Sequence, residues 1–231
     1  MKKFILLFIL LFLFPIYTFA MDESTLIQEQ SIQQRIDNIG FKILNSNKIE
    51  YRVVFVCTEQ AKKAKLKVEK SLTDRQVVLY QNDYKFIDND DEMAAFLSRG
   101  ILYAMKSYRG AFNGYLSALQ IKASPKKFEV VADKRAVDFM VKAGYNPLGL
   151  ITFIQKSEPQ KRFDKISTKN LASKRTAIIY EYIYTKYPYF LQNNEYLTNE
   201  HYQNFLLTSE NNRQLLLKKI KSGSKKDLDY E

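Results

Sequence analysis

Apolar residues recur every three or four positions over 24–45, at Leu26, Ile27, Ile32, Ile36, Ile39, Ile43 and Leu44. That spacing predicts an amphipathic helix, with Gly40 its weak point. The pattern then changes to short β-branched runs. Tyr51–Cys57 and Gln76–Tyr80 predict two strands joined by a lysine-rich segment. Asp88 to Asp91 is an acidic cluster suited to starting a helix, where side-chain oxygens cap free backbone N–H groups. The helix it opens, 91–107, carries Met93, Ala94, Leu97, Ile101, Ala104 and Met105 in one stripe, which predicts a central, buried element. Further helices are expected over 112–121, over 128–142 with Gly144 just past its end, and over 148–155 after Asn146-Pro147. Two more are expected over 172–185 and 200–220, separated by an aromatic turn at 187–190. Residues 157–167 read as a polar loop and 222–231 as a disordered tail. No internal linker stands out. The expectation is one domain over 21–221, α+β and helix-dominated, with a small β-sheet over the 91–107 helix.

The first twenty residues stand apart. Lys2 and Lys3 precede an apolar run from Phe4 to Tyr17 broken only by Pro15, and Thr18-Phe19-Ala20 offers a small-x-small cleavage site. Residues 1–20 therefore read as a signal peptide, with a periplasmic or extracellular mature chain; an uncleaved membrane anchor is the rival reading. Composition narrows the rest. With 46% hydrophobic and 26% charged residues, the chain is neither disordered nor a polytopic membrane protein. One cysteine excludes an internal disulfide framework, and one histidine excludes any site that needs two His ligands. Cys57 lies in a strand-like run and reads as a small core residue, and His201 as a surface or core-edge residue.

The net charge of +11 is clustered. Lysines crowd 62–70. Lys161, Arg162, Lys165, Lys169, Lys174 and Arg175 form a second group, and Lys218, Lys219, Lys221, Lys225 and Lys226 a third. Export makes nucleic acid a poor partner. A weak attraction to an anionic membrane surface or an acidic partner fits better, and the plain alternative is a lysine-rich solvated surface.

Several motifs in one order resemble a known family. Asp91-Glu92-Met93-Ala94-Ala95-Phe96-Leu97-Ser98-Arg99-Gly100-Ile101-Leu102-Tyr103 is similar to the helix that reads D-E-L-A-A-V-L-A-H-E-x-x-H in the CAAX prenyl protease and HtpX-like zinc metallopeptidases. Glu129-Val130-Val131-Ala132-Asp133 resembles that family's E-x-x-A-D. The run Ala136 to Pro147 resembles the following helix and A-G-Y-N-P turn, Ser167 to Asn170 stands where S-T-H-P often occurs, and Arg175 matches a later arginine. The resemblance spans roughly 25–187. It implies a zincin-like fold in which the sheet lies over a former active-site helix.

What the resemblance implies about chemistry is mostly loss. Two His at i and i+4 share one helix face and reach one Zn²⁺, and the Glu beside the first activates zinc-bound water. Those positions are Arg99, Tyr103 and Gly100 here. Only Glu129, matched to the third ligand, and Asp133, matched to its supporting acid, remain. A single carboxylate holds zinc poorly, and Arg99 brings a fixed positive charge to the place of a dication. The expectation is therefore an exported pseudopeptidase with no metal, no cofactor and no catalytic residue, binding an unknown protein or extended peptide. The alternatives are a zinc metalloendopeptidase, as the family label implies, or an enzyme of altered chemistry built on Tyr103, Glu129 and Asp133. A guanidinium in the metal's place predicts an ion pair from Arg99 to Glu129 or Asp133, covered by Tyr103.

Overall fold

The computed structural model describes residues 23–58, 75–107, 123–158, 163, 165–167 and 169–230. The leader, the 62–70 lysines and the helix expected over 112–121 lie outside the described residues. In chain order come α1 (Glu23–Ser46), β1 (Val54–Thr58), β2 (Gln76–Tyr80), the short α2 (Gln81–Tyr84), α3 (Asp90–Ser107) and α4 (Pro125–Lys142). They are followed by α5 (Gly149–Ser157), α6 (Ala172–Lys186), the short α7 (Tyr189–Gln192), α8 (Glu200–Thr208) and α9 (Glu210–Ser222). The architecture is α+β, helix-dominated with one small sheet, as the hydrophobic pattern predicts.

β1 and β2 pair in parallel, from Val54 opposite Gln76 to Thr58 opposite Tyr80. Phe55 and Cys57 on β1, and Val77 and Leu79 on β2, turn into the core on alternate positions. Parallel strands need a crossover of about a dozen residues or more, and the interval 59–75 is long enough to supply it. Tyr51 is an exposed bend rather than the start of the strand, because the ladder begins where Val54 N–H donates to Arg75 O.

The centre of the fold is α3. Met93, Ala94, Phe96, Leu97 and Ile101 are fully buried, and the helix packs against α1, α4, α5 and β2. Burying Met93, Phe96, Leu97 and Ile101 contributes about 1.5–3 kcal/mol each, so this stripe is the main stabilising element. Two glycines make the close contacts possible. A Cβ at Gly100 would lie 2.5 Å from Val77 Cγ1, and a Cβ at Gly40 would lie 2.5 Å from the Phe55 ring. Gly40 weakens α1 locally, and the ring packed on it supplies the compensating contact.

Polar groups fasten the helix ends. Asn89 Oδ1 accepts the Glu92 N–H at 2.9 Å, so the neutral member of the 88–91 cluster is the capping residue. Asp91 instead accepts the Asn146 N–H at 2.8 Å and the Tyr196 hydroxyl at 2.9 Å. Buried Glu92 accepts from Thr152 Oγ1 at 2.7 Å and forms an ion pair with Lys156. At the end of α4, Gly144 adopts φ +77°, Tyr145 N–H donates to Met140 O and Gly144 N–H to Val141 O, the Schellman arrangement.

Two expectations beyond the strand start are revised. The helix expected over 200–220 is two helices, broken at Ser209 with φ −99° and ψ 11°. Arg213 occupies the break, donating to Leu206 O at 2.7 Å and Ser209 Oγ at 3.3 Å. The tail expected to be disordered has no regular structure after Ser222, yet it is docked. Tyr230 is 3% exposed and donates to Glu181 Oε2 at 2.7 Å, while Asp229 pairs with Lys174 at 2.9 Å. An aromatic ring with a hydroxyl partner offsets the entropy of ordering the segment.

The α3–β2 contact yields a test. Gly100→Ala should destabilise the protein by about 1–3 kcal/mol, because the added methyl overlaps Val77. In urea denaturation, Gly100→Ala with Val77→Ala should be more stable than the sum of the two single effects.

Candidate functional site

Arg99 and Tyr103 lie one turn apart on α3 and share a face, and Glu129 and Asp133 do the same on α4. The two faces meet. Arg99, Tyr103, Glu129 and Asp133 are all at most 4% exposed. Arg99 Nε sits 3.1 Å from Asp133 Oδ1, an ion pair whose angle falls short of a hydrogen bond. The Tyr103 ring packs edge-on against Phe128, with centroids 5.0 Å apart. The expected Arg99–Asp133 pairing is therefore present, and Tyr103 lies beside it.

The strongest partner of Asp133 is Arg175, which the sequence places both in a basic cluster and at the match to the family's later arginine. Arg175, on α6, is 1% exposed. Its Nε donates to Asp133 Oδ2 and its Nη2 to Asp133 Oδ1, both at 2.8 Å, a forked charge-assisted pair. Its Nη1 faces Glu129 Oε1 at 3.5 Å and Glu158 Oε1 at 3.1 Å. Glu158 caps the end of α5, inside the segment expected to be a plain polar loop, and also faces Arg99 Nη1 at 3.9 Å and Lys169 at 3.7 Å. Glu129 Oε2 accepts from the Asn170 backbone N–H at 2.9 Å and its side-chain amide at 3.2 Å. Arg99, Arg175 and Lys169 thus oppose Glu129, Asp133 and Glu158. One signal for Arg175 was in the sequence. On α6 the buried residues are Ala172, Arg175, Thr176, Ala177, Ile179 and Ile183, so Arg175 falls on the inward stripe.

These charges set the local electrostatics. Burial opposes the charge on Arg175, but Asp133, Glu129 and Glu158 outweigh it and raise the guanidinium above its usual value. Burial pushes the Glu158 carboxyl up, and Arg175, Arg99 and Lys169 more than reverse this, holding it below the usual carboxylate range. Burial raises the Tyr103 phenol, aided by Asp133 and Glu129 against Arg99, so it keeps its proton near neutral pH. The site therefore holds guanidinium-paired carboxylates, a protonated phenol and Gly100 without a side chain. Glu158, held low, and Tyr103, held high, are both moved away from a base poised near neutral pH. The carboxylates could donate oxygens to a metal, but each faces a fixed guanidinium, which a dication would have to displace.

His201 lies far along the chain on α8, with its Nε2 3.3 Å from Glu200 Oε1, and contributes nothing here. Cys57 is a buried thiol of β1. A groove of about 710 Å³, lined in part by Phe128, opens between the α1–β1 connection, α3 and α4. Leu102, Met105, Phe128 and Val131 form its apolar wall, while Lys48, Arg135 and Lys142 bring positive charge to it and Glu50 one negative charge. No protein-family model matches this chain, and no curated protein or solved structure matches it significantly.

Breaking the buried pairs should be costly. Arg175→Ala should lose about 3–5 kcal/mol in denaturant unfolding, because it takes the fork from buried Asp133, and Arg99→Ala should lose less, because Arg175 still compensates that carboxylate. A loss below about 1 kcal/mol for Arg175→Ala would show that the cluster is not a structural tie.

Glu158 adds a pH dependence. Its folded-state value lies below the ordinary 4.5, so the unfolded chain binds the extra proton as pH falls. Its stabilising contribution is fully present above about pH 4.5 and is lost as pH drops through the lowered folded value. Glu158→Gln should therefore lower Tm at neutral pH and flatten the acid limb of the Tm–pH curve. An acid limb unchanged by this substitution would contradict the assignment.

Proposed function

We propose that this protein is an exported pseudopeptidase: a degenerate relative of the CAAX prenyl protease and HtpX-like metallopeptidases that binds a protein or extended peptide without cleaving it. The observation that carries the reading is the meeting of two i, i+4 pairs, Arg99 and Tyr103 with Glu129 and Asp133, around a guanidinium. These are the positions at which the resemblance puts two zinc ligands, a third ligand and its supporting acid. Arg175, matched to the family's later arginine, holds Asp133 in a fork. Two further features support the loss of hydrolysis. Gly100 stands where the resemblance puts the general base, and its Cβ position is blocked by Val77. Tyr103 carries a raised pKa and keeps its proton, which counts against an enzyme of altered chemistry at this site.

For binding, the groove beside Phe128 has the needed character. Its apolar wall suits hydrophobic side chains, and Arg135 and Lys142 suit an acidic residue or a terminal carboxylate. A pseudopeptidase of this kind would present or sequester a segment rather than turn it over.

The test has two arms. Purified protein should cleave no casein or peptide library in a zinc-dependent way, and zinc titration should show no tight site. An apolar-acidic peptide selected from a library should bind saturably and be recovered intact, and Val131→Asp, at an exposed groove position, should abolish binding. Chelator-sensitive cleavage would overturn the reading. Arg99→His with Tyr103→His should raise zinc affinity at least about tenfold if the two faces keep ligand geometry. Adding Glu at 100 should require a smaller residue at 77 as well.

A further inference from the structure

The C-terminal helix carries a surface that neither the core nor the buried ion cluster uses. From Asn211 to Lys226 there is no acidic residue, with Glu210 before and Asp227 after the stretch, while Arg213, Lys218, Lys219, Lys221, Lys225 and Lys226 are basic. Two of these are committed: Lys219 pairs with Glu181 at 2.7 Å, and Arg213 donates to Leu206 O. Lys218, Lys221, Lys225 and Lys226 are exposed and make no ion pair among the described residues. Asn212 and Leu216 turn α9 toward the body of the protein. That leaves Leu217, 48% exposed, and Ile220, 40% exposed, one turn apart along the flank of the buried stripe, with Lys221 one turn on from Leu217 and Lys218 further round toward solvent. The docked tail, fixed through Asp229 and Tyr230, keeps Lys225 and Lys226 close after the helix end.

We propose that this face of α9, with the segment after it, docks reversibly on an anionic phospholipid bilayer. Four unpaired lysines supply attraction to acidic headgroups. Leu217 and Ile220 supply the shallow apolar insertion that an interfacial helix needs. Nucleic acid would use the lysines alone and leave the two apolar side chains in water. An acidic protein surface would satisfy the charge, and it is separated from a bilayer by the experiment. This inference is independent of whether the buried site is a degenerate peptidase site.

The chain contains no tryptophan, so Leu217→Trp places one fluorescent reporter on the proposed face of the full chain. Tyr189→Trp, at a position 65% exposed, reports from another surface. Each variant is mixed with vesicles of equimolar phosphatidylglycerol and phosphatidylcholine, with pure phosphatidylcholine vesicles, and with poly-glutamate. The expected result is a blue shift and quenching by brominated lipid for the Leu217→Trp reporter on the anionic vesicles only. The shift should disappear in about 0.5 M salt, where charges are screened within a few ångströms. Charge reversal at Lys218, Lys221, Lys225 and Lys226 should weaken the response at least about tenfold. The proposal fails if the Leu217→Trp reporter stays in water on anionic vesicles, or if both reporters respond alike. It also fails, in favour of an acidic protein partner, if poly-glutamate produces the same shift.

Discussion

A buried carboxylate must be compensated, and in this protein that requirement falls on Asp133. It is 1% exposed and is gripped by the Arg175 fork, with Arg99 on its other side. The three residues belong to α4, α6 and α3, so one carboxylate ties three helices. Glu158 extends the tie to the end of α5 through the same Arg175 guanidinium. Such a cluster adds little net stability over a well-packed apolar one, since desolvation offsets much of the attraction. Its strength is in what it forbids: no helix can leave without stranding a charge. The pairing therefore specifies the arrangement more than it deepens the energy well.

A second buried pair works at the other end of the same elements. Glu92 on α3 holds Lys156 and Thr152 on α5, and Asp91 receives the backbone of Asn146 just before α5 begins. The short α5 is thus fixed at its start by Asp91 and at its end by the Glu158 contacts. Between these ties, α3 buries its apolar stripe against α1, α4, α5 and β2. Hydrophobic burial supplies the driving force, and the two ionic ties select one packing from those the apolar faces would tolerate.

A guanidinium and a metal ion solve the same electrostatic problem differently. A metal can exchange, bind water and lower its pKa, whereas Arg99 and Arg175 are covalently part of the chain and keep their protons. On the proposed reading, the site has traded a reactive cation for a permanent one. Activity would then move to surfaces: the groove beside Phe128 for a peptide, and the outer face of α9 for lipid.

How much of this was readable beforehand differs by type of feature. Period and residue type determined the elements, the buried stripe of α3 and the alternation of β1 and β2, because they depend on neighbours a few residues apart. On the proposed reading, residue chemistry also marks Arg99, Gly100 and Tyr103 as standing where two histidines and a base would be needed. What the sequence could not assign was the pairing of charges. Arg175 lies 42 positions from Asp133, and its place on the inward stripe of α6 and its match to a later family arginine mark the residue without naming its partner. Glu158 looked like loop, the break at Ser209 was hidden inside a continuous helical pattern, and the tail looked unstructured until Tyr230 met Glu181. Each of these rests on contacts between distant segments, and a charge or an aromatic ring finds its partner only once the helices have packed.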